Sequence, residues 1–224
     1  MSKDKGNSSP KTHNSKLILM PIMLDKQGLI LALLMGAIVY HFGSWQYLAI
    51  MLLFLFVAVA ATKYENKKKR DMGIYEHERG WENVLSNGLL PTVLAILSNS
   101  LGPIPYIASV AAVTADKFGS ELGVLSDKPI SLENLKPTRP GKSGAISFLG
   151  LTVSLAGATL IGAAAIFVFE INPTRALFIG IAGFTGAFVD SIFGVLEERG
   201  IGTKGTTNFI CSLTGALIGY YLIR

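Results

Sequence analysis

The sequence holds a single cysteine, Cys211, and only three histidines, His13, His41 and His77, which are too scattered to share a metal. One cysteine excludes a disulfide framework and any cysteine-based metal centre. It lies inside an apolar run and reads as a small packing residue. Charge is scarce as well: Asp, Glu, Lys and Arg make up 16% of the residues, whereas half are hydrophobic. With a mean hydropathy of +0.47, that balance excludes an ordinary soluble domain. The net charge of +5 does not point to nucleic acid, because the cations cluster beside apolar runs, as they do in cytoplasmic loops. What is abundant is glycine, 24 residues, which suits close helix packing in lipid.

The expectation is an all-α polytopic transmembrane bundle of about seven spans, some short or broken by proline. Residues 1–27 read as a polar tail, disordered over 1–16, followed by a short apolar patch. That patch contains Pro21 and runs into Asp25-Lys26-Gln27 with no small-residue cleavage site, so it is not a signal peptide. Residues 28–82 read as a hairpin of two spans, with Trp45 and Tyr47 at an interface, plus a solvated loop carrying Lys67-Lys68-Lys69-Arg70 near anionic headgroups. Residues 83–224 read as a membrane-embedded catalytic domain. It opens with two short runs, 84–97 and 101–115, containing Pro91, Pro103 and Pro105, which either span or re-enter. Broken backbone at membrane depth is tolerated only against protein or a polar cavity, so either form points inward to a site. Three further spans follow, and the last carries a GxxxG face at Gly215 and Gly219. Gly-rich faces of this kind allow a homo-oligomer. With the N-terminus in the cytoplasm, every Lys and Arg except Arg175 and Arg224 falls inside. The protein is therefore expected in the plasma membrane with its C-terminus outside.

Residues 114–150 join two apolar segments and hold most of the groups able to do chemistry. Asp190 is the sharpest clue. A carboxylate within an apolar span costs about 2.5–3.5 kcal/mol on insertion scales and must face a cavity or a partner. On a helix it shares a face with Gly194 and Glu197. Asp116, Glu121 and Asp190, converging at one end of a bundle, would make an oxygen-rich site for Mg²⁺, which is typically held by one or two carboxylates plus substrate phosphates. Arg139, Lys142 and a helix opening at Ser143-Gly144 form an anion-binding set. The string GKS at 141–143 is not a P-loop, since the glycine required five positions before Gly141 is Lys136 and no strand precedes it.

The strings TADKFGSELG, PGKSGAIS, GFTGAFVDSIFG, LEERG and TNF, in that order, resemble the integral-membrane family that contains plant phytyl-phosphate kinase and is related to the CTP-dependent phytol and dolichol kinases. The resemblance covers approximately residues 80–224. Asp116, Ser120, Glu121 and Gly123 match the first motif, and Gly141, Gly144 and Ser147 the second, in which Lys142 and Ser143 replace Thr and Asn. Asp190, Ser191 and Gly194 match the third, and Glu197, Arg199, Gly200, Asn208 and Phe209 the last. The resemblance implies phosphoryl transfer from a nucleoside triphosphate, with CTP favoured, to an isoprenyl monophosphate. It implies catalytic roles for Asp116, Glu121, Asp190 and Lys142. It assigns nucleotide and phosphate binding to Ser120, Arg139, Lys142, Ser143, Gly144, Glu197 and Asn208. Three alternatives remain open at this point: a prenol kinase, a cytidylyltransferase, and a transporter using Asp190 and Glu121 as ion sites.

Overall fold

The computed structural model describes residues 23–73 and 80–223. The polar tail, most of the apolar patch after it, and His13, His77 and Arg79 lie outside those residues. The apolar runs form α1 (Lys26–Gly43) and α2 (Trp45–Lys63), then a short α3 (Asn66–Asp71). The Pro-containing stretch forms α4 (Trp81–Ile96), α5 (Ser98–Leu101) and α6 (Ile104–Leu122). A small ribbon pairs β1 (Ile130–Ser131) antiparallel with β2 (Ala145–Ile146). The chain ends with α7 (Phe148–Val168), α8 (Pro173–Glu198) and α9 (Lys204–Ile218), the last continued by a π turn to Ile223.

Each start has a local cause. The Asp25 carboxylate accepts from Gly28 N at 2.6 Å, the Asn172 amide oxygen from Arg175 N at 2.8 Å, and Ser147 Oγ from Gly150 N at 3.0 Å. Each satisfies an amide that the first helical turn leaves without a partner. Five helices (α1, α2, α7, α8 and α9 with its π turn) are long and apolar enough to cross a membrane. With α4 and α6 they make an all-α membrane bundle, as expected.

The two Pro-containing runs are not broken in the middle as a pair. Pro103 and Pro105 sit at the start of α6, where a missing N–H costs nothing. Pro91 alone lies inside a helix, α4. α6 is then the axis of the fold: every residue from Ile104 to Lys117 is buried, and α2, α7, α8 and α9 pack around it. Lys117 belongs to this buried stretch, at 2% exposed, and not to a solvated loop. The GxxxG face of α9 is used up inside the chain. A Cβ on Gly215 would lie 2.6 Å from Ala108 O, and one on Gly219 2.8 Å from Ala108 Cβ. A homo-oligomer would have to use other surfaces.

Two further expectations are corrected. Tyr47 is core, not interface: its ring lies 4.7 Å from Tyr106 and 5.0 Å from Phe169, and its carbonyl accepts from Tyr106 Oη at 2.7 Å. Trp45 is exposed, as an interfacial residue should be. In the basic loop, Lys69 is 1% exposed while its neighbours Lys67, Lys68 and Arg70 are solvated. Its Nζ donates to Ala61 O at 2.8 Å and Thr62 O at 3.1 Å, closing the end of α2. It also pairs with Glu121 of α6 at 3.3 Å.

Removing one partner of a largely buried ion pair costs about 3–5 kcal/mol. Glu121→Gln is therefore expected to lower the thermal unfolding temperature of the detergent-solubilised protein by several degrees. An unchanged unfolding temperature would show that the pair does not fasten α3 to α6.

Candidate functional site

At the end of the bundle where α6 and α8 carry their acidic residues, the helices part around a cavity of about 140 Å³. α6 contributes Asp116 and Ser120, and α8 contributes Asp190, Ser191, Gly194 and Glu197. The first turns of α9 add Lys204 and Thr207, and the start of α7 adds Ser147, Gly150 and Ser154. Lys142, Ser143 and Gly144 close the cavity from the ribbon side. The expected shared face of Asp190, Gly194 and Glu197 is present, and all three line this space.

The ribbon reaches α8 because of two glycines. Gly144 has φ +71°, a region that L side chains rarely adopt, and a Cβ there would lie 2.7 Å from Val195 Cγ2. A Cβ on Gly194 would lie 2.5 Å from Gly144 N. The ribbon backbone thus rests directly on α8. Leu132 N donates to Gly144 O at 2.9 Å, and Thr138 N donates to Pro129 O at 3.0 Å, which ties the two arms together.

Ser143 does not open a helix; α7 begins at Phe148 behind the N-cap Ser147. The ribbon intervenes, because Ala145-Ile146 pair with β1. Ser143 is held by acidic groups instead. Its backbone N donates to Glu198 Oε1 at 3.0 Å and its Oγ to Glu197 Oε1 at 3.2 Å. Lys142 Nζ lies 3.5 Å from Glu133 Oε2, and Arg199 Nε lies 3.2 Å from Glu133 Oε1. The hydrogen bond from Arg199, and then that from Lys142, holds the Glu133 carboxyl below its ordinary range. Glu133 was not visible as a participant in the sequence, since an isolated acid in an exposed loop carries no spacing signal.

The centre of the cavity is the pair Asp116 and Asp190. Asp116 is 8% exposed, and the two carboxylates are in electrostatic contact, with Lys204 nearby and Thr207 within hydrogen-bonding reach of Asp190. Asp116 Oδ2 and Asp190 Oδ1 are buried and have no hydrogen-bond partner. Two carboxylates at such range cannot both stay charged in an apolar setting unless a proton or a cation stands between them. Among the described residues no group of three His, Cys, Asp or Glu side chains could hold a metal. The pair thus suits a cation that brings its other ligands with it.

Other expected site residues lie elsewhere. Glu121 turns to Lys69 and is not among the residues lining the cavity. Arg139 is exposed on the ribbon and does not line it either. Asn208 is buried beside it: its Nδ2 donates to Ser86 Oγ of α4 at 3.5 Å, and its Oδ1 has no partner. Lys204, Thr207 and Ser154 are the lining residues that the sequence reading did not single out.

A polar, acidic cavity set into one end of an all-helical membrane bundle defines the class: an integral membrane protein with a chemically equipped site. The chain belongs to the family described as Integral membrane protein DUF92, which it matches over residues 17–215. It is 36% identical over 202 residues to an uncharacterized membrane protein of Methanocaldococcus jannaschii, covering 88% of this chain and 84% of that one. It is 28% identical over 207 residues to Protein PGR of Arabidopsis thaliana, covering 76% of this chain and 70% of that one. No solved structure matches.

Two outcomes are expected. Gly144→Ala should strain the backbone by about 1–2 kcal/mol and push the ribbon off α8. Amide hydrogen exchange of residues 130–146 should then rise while α6 stays protected; equal protection of the ribbon would contradict the packing described. Glu133 has its pKa lowered in the fold, so its contribution is present above the ordinary glutamate range and is lost as pH falls through the lowered value. Ribbon exchange, corrected for intrinsic rates, should therefore be flat from neutral pH down to that range and increase only below it. The Glu133→Gln variant should show no such step.

Proposed function

We propose that this protein is a Mg²⁺-dependent membrane phosphotransferase that moves a phosphoryl group from a nucleoside triphosphate, CTP by preference, to an isoprenyl monophosphate. The observation that carries the reading is the pair of buried carboxylate oxygens, on Asp116 and Asp190, left without partners inside a cavity rimmed by Lys142 and Ser143. Two carboxylates and no third fit a magnesium ion that arrives with phosphate oxygens. Such an ion, when bound, bridges phosphates and offsets the charge that builds on the leaving group.

The chain's own residues do the remaining work. Asp116 and Asp190 hold the cation from α6 and α8. Lys142, now against Glu133, is drawn to the more highly charged triphosphate and neutralises it. Ser120 and the Ser143-Gly144 backbone position phosphate oxygens, displacing the Glu197 and Glu198 contacts. In the transfer, the bond between the γ-phosphorus and the bridging oxygen breaks, and an oxygen of the acceptor phosphate forms the new bond. That acceptor is already ionised, so no base is needed to remove a proton. An isoprenyl chain would leave the cavity between α7 and α8, where Leu151, Phe184 and Phe188 line it. The distribution of Lys and Arg supports placing this end at the cytoplasmic face of the plasma membrane, with the C-terminus outside.

The test is a transfer assay on purified protein with Mg²⁺, each of the four γ-³²P nucleoside triphosphates, and a panel of prenyl monophosphates and prenols. Label is expected in a prenyl diphosphate. Asp116→Asn and Asp190→Asn should each reduce transfer by roughly 100-fold or more while the unfolding transition remains cooperative. No lipid labelling from any nucleotide, or full activity in both variants, would overturn the reading.

A further inference from the structure

A second cavity, of about 110 Å³, lies on the other side of α6, among α1, α2, α4 and α6. Val110 and Val113 of α6 line it, whereas Asp116 and Ser120 face the first cavity. Its wall is otherwise almost wholly apolar, with Met35 from α1, Phe54 and Leu55 from α2 and Pro91 from α4. Leu52 also lines it and is 53% exposed, so the space reaches the surface that faces lipid. Along α2 it extends from Leu48 to Val59, about 16 Å of helix axis at 1.5 Å per residue.

The polar end is formed by Asn83 and Asn87 of α4. Asn87 is only 4% exposed. Its Nδ2 donates to Asn83 O at 2.7 Å, which fixes how the amide points. Its Oδ1 is then left buried with no partner. In a hydrocarbon setting such an acceptor is costly unless a donor reaches it. The ester carbonyls and chains of glycerophospholipids offer no donor in that region; a hydroxyl does. Two chains would not fit so small a space, which favours a single chain. We propose that this cavity binds one long-chain alcohol, its hydroxyl donating to Asn87 Oδ1 and its chain lying along α2.

The site does not depend on the phosphotransferase reading, but it is connected to the first cavity. Ser86 Oγ lies 3.4 Å from Asn87 Nδ2 and 3.5 Å from Asn208 Nδ2. Asn208 adjoins Thr207, which lines the first cavity. The hydroxyl is thereby placed at the same end of the bundle as Asp116 and Asp190.

The experiment measures saturable binding of tritiated geranylgeraniol to the full chain in lipid nanodiscs, with competition by the hydrocarbon lacking the hydroxyl and by dioleoylglycerol. Geranylgeraniol should bind at least about tenfold more tightly than its hydrocarbon, the value expected from one buried hydrogen bond. Asn87→Leu should erase that preference. Gly36→Leu should reduce alcohol binding by a similar factor, because a Cβ at Gly36 meets only Leu48 Cδ1 at 3.7 Å and the added chain grows into the cavity. Asp190→Asn should bind as the wild type does, whatever the transfer assay shows. Equal affinity for alcohol and hydrocarbon, equal competition by dioleoylglycerol, unchanged binding in Asn87→Leu, or loss of binding in Asp190→Asn would each overturn the proposal. Cooperative unfolding of every variant is the control for folding.

Discussion

Everything in this bundle depends on burying α6 on all sides. A helix at the centre of a membrane protein gains nothing from leaving water, since lipid is as apolar as its neighbours. It is held by close packing, and close packing requires small residues where backbones meet. α6 supplies Ala108, Ala111, Ala112 and Ala115, all fully buried, and its partners supply glycine at the same levels, Gly183 over Ala111 and Gly215 over Ala108. The high glycine content that marks the sequence is thus spent around one axis. The same arrangement brings Asp116, near the far end of α6, to the level of Asp190 on α8.

Burial of two facing carboxylates works against stability in such a bundle. The fold accepts this at one place only, and surrounds it with groups that can answer charge: Lys204 and Thr207 from α9, and Lys142 and Ser143 from the ribbon. The phosphate-facing groups are meanwhile occupied by carboxylates, Ser143 by Glu197 and Glu198 and Lys142 by Glu133. Carboxylates standing where phosphate oxygens would bind keep those donors satisfied, and a more highly charged ligand can replace them. This is a physical reason for an acidic rim around a site proposed to bind anions.

The legible part of the fold was the part written in runs. Apolar segments between charged loops gave the helices, and a lone carboxylate in an apolar run drew attention to Asp190. Helical periodicity put Gly194 and Glu197 on its face. What could not be read depended on contacts distant in sequence. Lys69 is one of four consecutive cations, and nothing local separates it from its solvated neighbours; its burial is decided by Glu121, on another helix. For the same reason Glu121 looked like part of the acidic cluster, although it points to α3. Tyr47 resembled an interfacial aromatic beside Trp45 until Tyr106 and Phe169 closed over it. Ser143 and Ser147 are both plausible helix starts by composition, and the pairing of Ala145-Ile146 with Ile130-Ser131 selects the second.

The unpartnered polar atoms complete the argument about where function resides. Among the described residues, the buried side-chain atoms without hydrogen bonds are on Asn87, Asp116, Asp190 and Asn208. Scattered orphans would suggest imperfect packing, but these follow a path: Asn87 and Asn208 meet at Ser86, and the next residue, Thr207, faces the two aspartates. In lipid, each orphan is a cost that packing alone could have removed with an apolar side chain. Their concentration in one band, with an acidic cavity at one end and an apolar cavity at the other, is what separates a working site from structural polarity. The apolar helices on either side of that band hold it at a fixed depth.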